Sequence, residues 1–233
     1  MGAYKAQEDE ARKAQTMKAN QDLIHTFGVN DYEAYWKQRT LDDPWWERKR
    51  EKELLLELAP PPRKVLEMGP GGGHLFWDLH KQGYDMHAVD IAQAVLDNLK
   101  APPEKTRHVD LNNGLPNFGT KFGAIVGSMV LHHIVRPDVL LEQLCDAIEP
   151  GGILVLTIPN IVNLRNRVRM LRGKLPKMSA SHRNFMTPQE VQVLMERKKL
   201  KVLKIVSHKS KMLRSMFPIL FSKRVIMVAQ SSK

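Results

Sequence analysis

The 233-residue sequence predicts an α/β domain built on a doubly wound, mostly parallel sheet. Three observations carry that expectation. Short apolar runs alternate with longer amphipathic ones, polar residues stand where the apolar runs end, and a glycine-rich turn follows the first run.

Taken in order, Val65-Leu66-Glu67-Met68 reads as a buried strand that opens into Gly69-Pro70-Gly71-Gly72-Gly73. Asp85 to Asp90 alternates and ends in a carboxylate, 21 residues after Gly69. Thr106 to Val109 is a short third strand running into Asp110-Leu111. Phe122 to Val130 is apolar throughout, the pattern of a strand buried on both faces, and leads into Leu131-His132-His133-Ile134. A helix over Pro137 to Ile148, a turn at Glu149-Pro150-Gly151-Gly152 and a fifth strand over Ile153 to Asn160 follow. Ile161, Leu164, Val168 and Leu171 recur at helical spacing among arginines, which makes a basic amphipathic helix. Thr187-Pro188-Gln189-Glu190 is a capping box with proline at the first helical position, so a helix runs from Pro188 to about Lys199. Strands over Lys201 to Ser207 and Arg224 to Ala229 complete the sheet.

The glycine turn separates two kinds of nucleotide-cofactor loop. Glycines at 69, 71 and 73 let a ligand approach the backbone and free the first amides of the next helix to meet it. A dinucleotide fingerprint would place its third glycine at position 74, where His74 is too bulky for close helix packing. The glycine arrives one residue earlier, and Glu67 precedes the first by two. This E-x-G-x-G-x-G form resembles motif I of the class I S-adenosylmethionine-dependent methyltransferases. From Tyr32 to Gln230 the chain looks closest to their bacterial small-molecule branch, of methyltransferase type 11/12, related to the ubiquinone-biosynthesis O-methyltransferases. The turn Glu149-Pro150-Gly151-Gly152, the Pro159-Asn160 strand ending and Phe185-Met186-Thr187-Pro188 carry that likeness. Gly72, where the family usually has a small hydroxyl residue, and His132, where many members have glutamate, depart from it.

The resemblance implies a Rossmann-like, seven-stranded sheet, mostly parallel with an antiparallel last strand. It implies S-adenosyl-L-methionine as cofactor and S-adenosyl-L-homocysteine as product. The cofactor-binding residues it picks out are Glu67, Gly69, Gly71 and Gly73 for the cradle, Asp90 with Ile91 for the ribose, Asp110 and Leu111 for the adenine, and Ser128 beside the methionine moiety. Tyr35 and Arg39, in the segment before motif I, are lid residues on the same likeness, or else an aromatic helix packed on the core and a surface ion pair. His133 matches the family's recurrent histidine and His132 is particular to this chain; either can act as a base on a hydroxyl acceptor or serve as a helix cap. The pair has no third ligand at motif spacing, so no metal is expected.

Composition sets the remaining bounds. One cysteine, Cys145, excludes a disulfide framework and reads as a packed thiol. No apolar run is long enough for a membrane span and no signal sequence is visible, so the expected location is cytoplasmic, with peripheral membrane contact left open. Residues 1–30 read as a polar extension and 31–233 as the methyltransferase domain, with basic acceptor-side insertions at about 161–186 and 208–223. Charge is uneven: residues 1–60 carry 10 Lys+Arg against 12 Asp+Glu, residues 61–160 carry 8 against 11, and residues 161–233 carry 18 against 2. That basic third suits a small-molecule or lipid-linked anionic acceptor or an anionic membrane surface, with nucleic acid ranked lower for want of interleaved aromatics. The expected activity is methylation of such an acceptor, with oxygen as the favoured atom. The rivals are an RNA or protein methyltransferase recruited by the same charge, and a non-catalytic cofactor-binding regulatory partner. Oligomeric state is not readable from the sequence.

Overall fold

The computed structural model describes residues 29–37, 48–176, 183–209 and 212–233. Of the expected extension over residues 1–30, residues 1–28 fall outside them, as does Arg39, whereas residues 29 and 30 open a helix. Two helices, α1 (Val29–Lys37) and α2 (Lys49–Leu58), precede the first strand, β1 (Lys64–Met68). The alternation then runs α3 (His74–Lys81), β2 (Asp85–Asp90), α4 (Gln93–Leu99), β3 (Thr106–His108), β4 (Phe122–Ser128), α5 (Pro137–Ala147), β5 (Ile148–Pro159). The last third supplies α6 (Leu164–Leu171), α7 (Pro188–Arg197), β6 (Leu200–Ser207), α8 (Met212–Met216), α9 (Pro218–Phe221), β7 (Arg224–Ser231).

These strands form one sheet of order β3-β2-β1-β4-β5-β7-β6. β1 to β5 pair in parallel, whereas β7 enters antiparallel between β5 and β6. The expected Rossmann-like sheet with a reversed last strand is therefore the fold. All seven residues of β4 are buried, as its unbroken apolar run requires of a central strand covered on both faces. On one face Leu54, Leu75, Phe76 and Leu79 pack against Val126, Val155 and Ile226. On the other, Leu140, Leu144, Val191 and Met195 pack against Ile125, Leu154 and Met227. Cys145 lies in this second layer, 3% exposed, as a packed thiol.

The two largest boundary shifts have identifiable reasons. β5 starts at Ile148 rather than Ile153, because Ile148 already pairs with Phe122. The register then jumps to Ala124↔Ile153, so Glu149-Pro150-Gly151-Gly152 is an irregularity inside the strand, with Gly151 at φ 70°. α6 begins at Leu164, not Ile161, since Asn163 caps it by accepting from the Asn166 amide at 3.2 Å. The capping box at Thr187 and Glu190 formed as expected. No helix among the described residues is long and apolar enough to cross a membrane.

The fully buried Ile125 sits midway along β4, where truncation leaves a cavity that the two helical layers cannot close. Ile125→Ala should lower the unfolding free energy by roughly 2–5 kcal/mol, read as an earlier urea midpoint at unchanged slope.

Candidate functional site

The polar residues singled out in the sequence gather at the carboxyl ends of the parallel strands. β1 ends at Met68, and the chain turns back through Gly69, Gly71 and Gly73, all at positive φ (64°, 57° and 74°). A Cβ on Gly69 would come 2.8 Å from Val130 Cγ2, and one on Gly73 would come 2.8 Å from Leu99 Cδ1. The turn is thus closed to larger residues both sterically and conformationally. Gly73 then caps α3 without a side chain, leaving the helix's first amides facing the turn.

Glu67, in β1, is wholly buried beneath this turn. Arg48, at the start of α2, donates to Glu67 Oε1 at 2.5 Å and to the Gly69 carbonyl at 3.0 Å. One guanidinium therefore grips both the acid and the loop it supports. Burial pushes the Glu67 carboxyl up to about 7, against the pull of Arg48. Its Oε2 is buried without a hydrogen-bond partner among the described residues. Asp90, ending β2, is 6% exposed, and its Oδ1 accepts from the Ala92 amide at 2.8 Å. Burial raises this carboxyl to about 7 as well, with the Ala92 amide and Arg48 opposing. Ile91 follows, its carbonyl 2.9 Å from His108 Nε2. Asp110 caps the short turn Leu111–Asn113 through its Oδ1, and Leu111 is buried behind it.

Ser128 led to a residue that sequence reasoning missed. Its hydroxyl donates to Glu51 Oε1 at 3.2 Å, and Thr157 Oγ1 donates to the same oxygen at 2.7 Å. Glu51 is 0% exposed, and His208 Nδ1 lies 3.6 Å away. Burial opposes its ionisation, but His208 and Thr157 outweigh that and hold the carboxyl below its ordinary value. Thus β4, β5 and the end of β6 meet on one buried carboxylate from α2. A signal for it existed: Glu51 shares helical spacing with Leu54, Leu55 and Leu58, which places a charge on the stripe that faces the core. Arg48, one turn earlier, shares that face.

The two histidines occupy the turn Leu131–His133 just past β4. His132 is 4% exposed, and its carbonyl accepts from the Arg183 amide at 2.8 Å. His133 is half-buried, its ring 4.1 Å from that of His132, and its Nδ1 lies 2.9 Å from Tyr32 Oη. The Arg136 side chain, at the N-cap of α5, makes no capping hydrogen bond. Tyr32 belongs to α1, which also reaches the Ala94 amide through Glu33 Oε2 at 3.3 Å. α1 therefore spans from the first turn of α4, just past β2, to the histidines. Tyr35, 40% exposed, stacks edge-on against Trp36 in that helix. A broad cleft lined by Leu115, Phe118, Lys121, Gln143 and Asp146 opens near Phe122, at the amino end of β4. It lies at the opposite end of the sheet from the polar cluster, away from where open α/β sheets hold ligands. Among the described residues no group of three or more His, Cys, Asp or Glu could hold a metal ion.

Residues 35–205 match the family model described as a methyltransferase domain. The chain belongs to this methyltransferase family. Among relatives of the methyltransferase, the ubiquinone biosynthesis O-methyltransferase of Dinoroseobacter shibae is 28% identical over 153 residues, covering 59% of this chain and 61% of its own length. An uncharacterized methyltransferase of Mycobacterium tuberculosis is 32% identical over 132 residues, covering 54% of this chain and 66% of its own. The chain thus spans less than two thirds of these relatives' length. In fold the methyltransferase is similar to an S-adenosylmethionine-dependent methyltransferase from Mesorhizobium loti, with a TM-score of 0.61 at 15% identity over 82% of this chain and all of the other. The N-methyltransferase NodS of Bradyrhizobium japonicum, solved with S-adenosyl-L-homocysteine, gives 0.56 at 14% identity over 93% and 98%.

Two outcomes follow from the buried acids. Arg48→Met strands Glu67 without its counter-charge and should cost about 3–5 kcal/mol in denaturant melts, most of which the double variant Arg48→Met/Glu67→Leu should restore. Asp90 has a folded pKa near 7, above the unfolded value near 4, so the unfolded chain releases this proton first as pH rises. Its contribution is full below pH ~4 and is lost as pH climbs towards 7. Relative to Asp90→Asn, the wild type should lose about 4 kcal/mol of stability across that window, and a flat difference would remove the assigned burial effect.

Proposed function

We propose that the protein transfers a methyl group from S-adenosyl-L-methionine to a small or lipid-linked, anionic acceptor, at oxygen. The single observation that carries this reading is the convergence of the glycine cradle, Glu67 and Asp90 at adjacent strand ends. The site fits the cofactor on its own geometry: the cradle has no room for a Cβ at Gly69 or Gly73, and Glu67 Oε2 is a buried acceptor with no partner among the described residues. Glu67 with Gly69, Gly71 and Gly73 would hold the methionine end, Asp90 and Ile91 the ribose, Asp110 and Leu111 the adenine, and Ser128 would form the wall beside the methionine moiety. Tyr35 and Arg39 are assigned to the covering segment. When bound, the cofactor supplies a methyl group on a sulfonium, whose displacement asks for alignment and exclusion of water.

His133 is the proposed base for the acceptor hydroxyl. For Nε2 to take that proton, Nδ1 must carry its own and donate it to Tyr32 Oη, the contact seen at 2.9 Å. In that tautomer the Tyr32 hydroxyl serves as the acceptor for Nδ1–H, and His132, packed against the ring, fixes its position. The ubiquinone biosynthesis relatives favour oxygen as the acceptor atom, and the basic last third favours an anionic acceptor.

Calorimetric titration with S-adenosyl-L-methionine tests the cradle. Binding draws Asp90 into its ionised form, so affinity should rise between pH 6 and 8, with a proton released on binding. Asp90→Asn should bind roughly ten- to a hundredfold more weakly, with no such pH dependence. Failure of the wild type to bind would favour a regulatory partner that has kept the fold alone. For the base, Tyr32→Phe should lower turnover and shift its acidic limb while leaving cofactor affinity unchanged; an unaltered pH–rate profile would remove His133 from that role.

A further inference from the structure

We propose that α6 together with α8 and α9 forms a docking surface for an anionic lipid bilayer, which sets the open strand ends beside the membrane that holds the acceptor. The placement of the acceptor in that membrane rests on the methyl-transfer reading; the docking surface does not.

α6 is amphipathic inside out. Asn163 and Asn166 are 6% and 7% exposed, whereas Leu164, Val168 and Leu171 are 43%, 38% and 87% exposed. Those three recur at i, i+4 and i+7 and so line one stripe, facing away from the protein. Arg165 and Arg172 fall along one flank of the stripe and Arg167 along the other. Leu175, 84% exposed, extends the apolar surface past Gly173.

Buried amides fix this inversion. Asn163 Nδ2 donates to the Asn160 carbonyl at 2.5 Å while its Oδ1 caps the helix. Asn160 Nδ2 donates to the carbonyls of Ile219 and Ser222 at 2.6 and 2.8 Å, which clamps α9 against the start of α6. α9 touches both α6 and α8, so two segments distant in sequence share one face. α8 adds Met212 and Met216, 77% and 63% exposed, beside Arg214. α6 follows the carboxyl end of β5 and α8 that of β6, the end at which Asp90 and Ser128 also lie.

Leucine held in water between arginines gains only where an apolar layer lies beneath it and anions surround it. An acidic bilayer offers both, with the arginine stems spanning the boundary. Nucleic acid would meet the charges but give Leu171 and Leu175 nothing to enter, and its usual stacking partners are aromatic. A second copy would set two regions of 18 Lys+Arg against 2 Asp+Glu face to face.

The test is co-sedimentation of the full chain with vesicles of phosphatidylcholine alone or mixed with phosphatidylglycerol, alongside titration with S-adenosyl-L-methionine. Two variants are compared: Leu171→Ser/Leu175→Ser/Met212→Ser, and Arg165→Glu/Arg172→Glu/Lys174→Glu. Binding should be at least about tenfold tighter to the anionic vesicles and should weaken with salt. Each variant should lose about tenfold or more, with cofactor affinity within about twofold of wild type. No preference for the anionic vesicles overturns the proposal, and so does undiminished binding by the apolar variant, which would assign the charge to a polyanion such as RNA. Retained vesicle binding without cofactor binding would sink the methyl-transfer reading and leave the docking surface standing.

Discussion

The Arg48–Glu67 ion pair is the constraint on which the site depends. A carboxylate in the middle of a parallel sheet is tolerable only with a partner, because its desolvation outweighs what hydrogen bonds from the strand could return. Arg48 supplies that partner and, with its second nitrogen, holds the Gly69 carbonyl, so electrostatics and loop geometry are set by one side chain. Since Arg48 opens α2, that helix is bound to the strand ends, and one turn on it delivers Glu51 to Ser128 and Thr157. The floor of the site is thereby an ionic layer within an otherwise apolar sheet.

That layer leaves charge poised. Glu67 and Asp90 are both held near 7 by burial, so neither is committed to one protonation state at neutral pH. A ligand that offers donors to them finds acceptors already in place and draws out a proton as it binds. Glu51 is tuned the other way and remains ionised, a fixed charge in the floor. Three buried acids within one site therefore divide into two that respond to a ligand and one that does not.

Much of this was legible in the residues. Strand positions followed from the lengths of apolar runs and their polar endings, because a parallel sheet buries its strands on both faces, whereas the reversed last strand was implied only by the resemblance to the family. Gly69, Gly71 and Gly73 were legible because only glycine takes positive φ where a Cβ would collide. Arg48 and Glu51 went unread although their spacing with Leu54, Leu55 and Leu58 put them on the core-facing stripe, because the partners that explain a charge there, Glu67, Ser128 and Thr157, stand on later strands and only the fold brings them together. The start of β5 was misplaced because Pro150 and the glycines read as a turn, whereas the sheet absorbs them as an irregularity beside Phe122. The direction of α6 could not be read from spacing at all: periodicity shows that a stripe exists, and only the amides of Asn160 and Asn163 decide that it points outward.

The account stands or falls on where the cofactor's product sits. A crystal structure of the full chain with S-adenosyl-L-homocysteine should place its ribose hydroxyls on the Asp90 carboxylate and its amino-acid end at the glycine turn, with the Arg48–Glu67 pair intact beneath. Density for the ligand at any other end of the sheet, or a broken pair with Arg48 turned out to solvent, would contradict it.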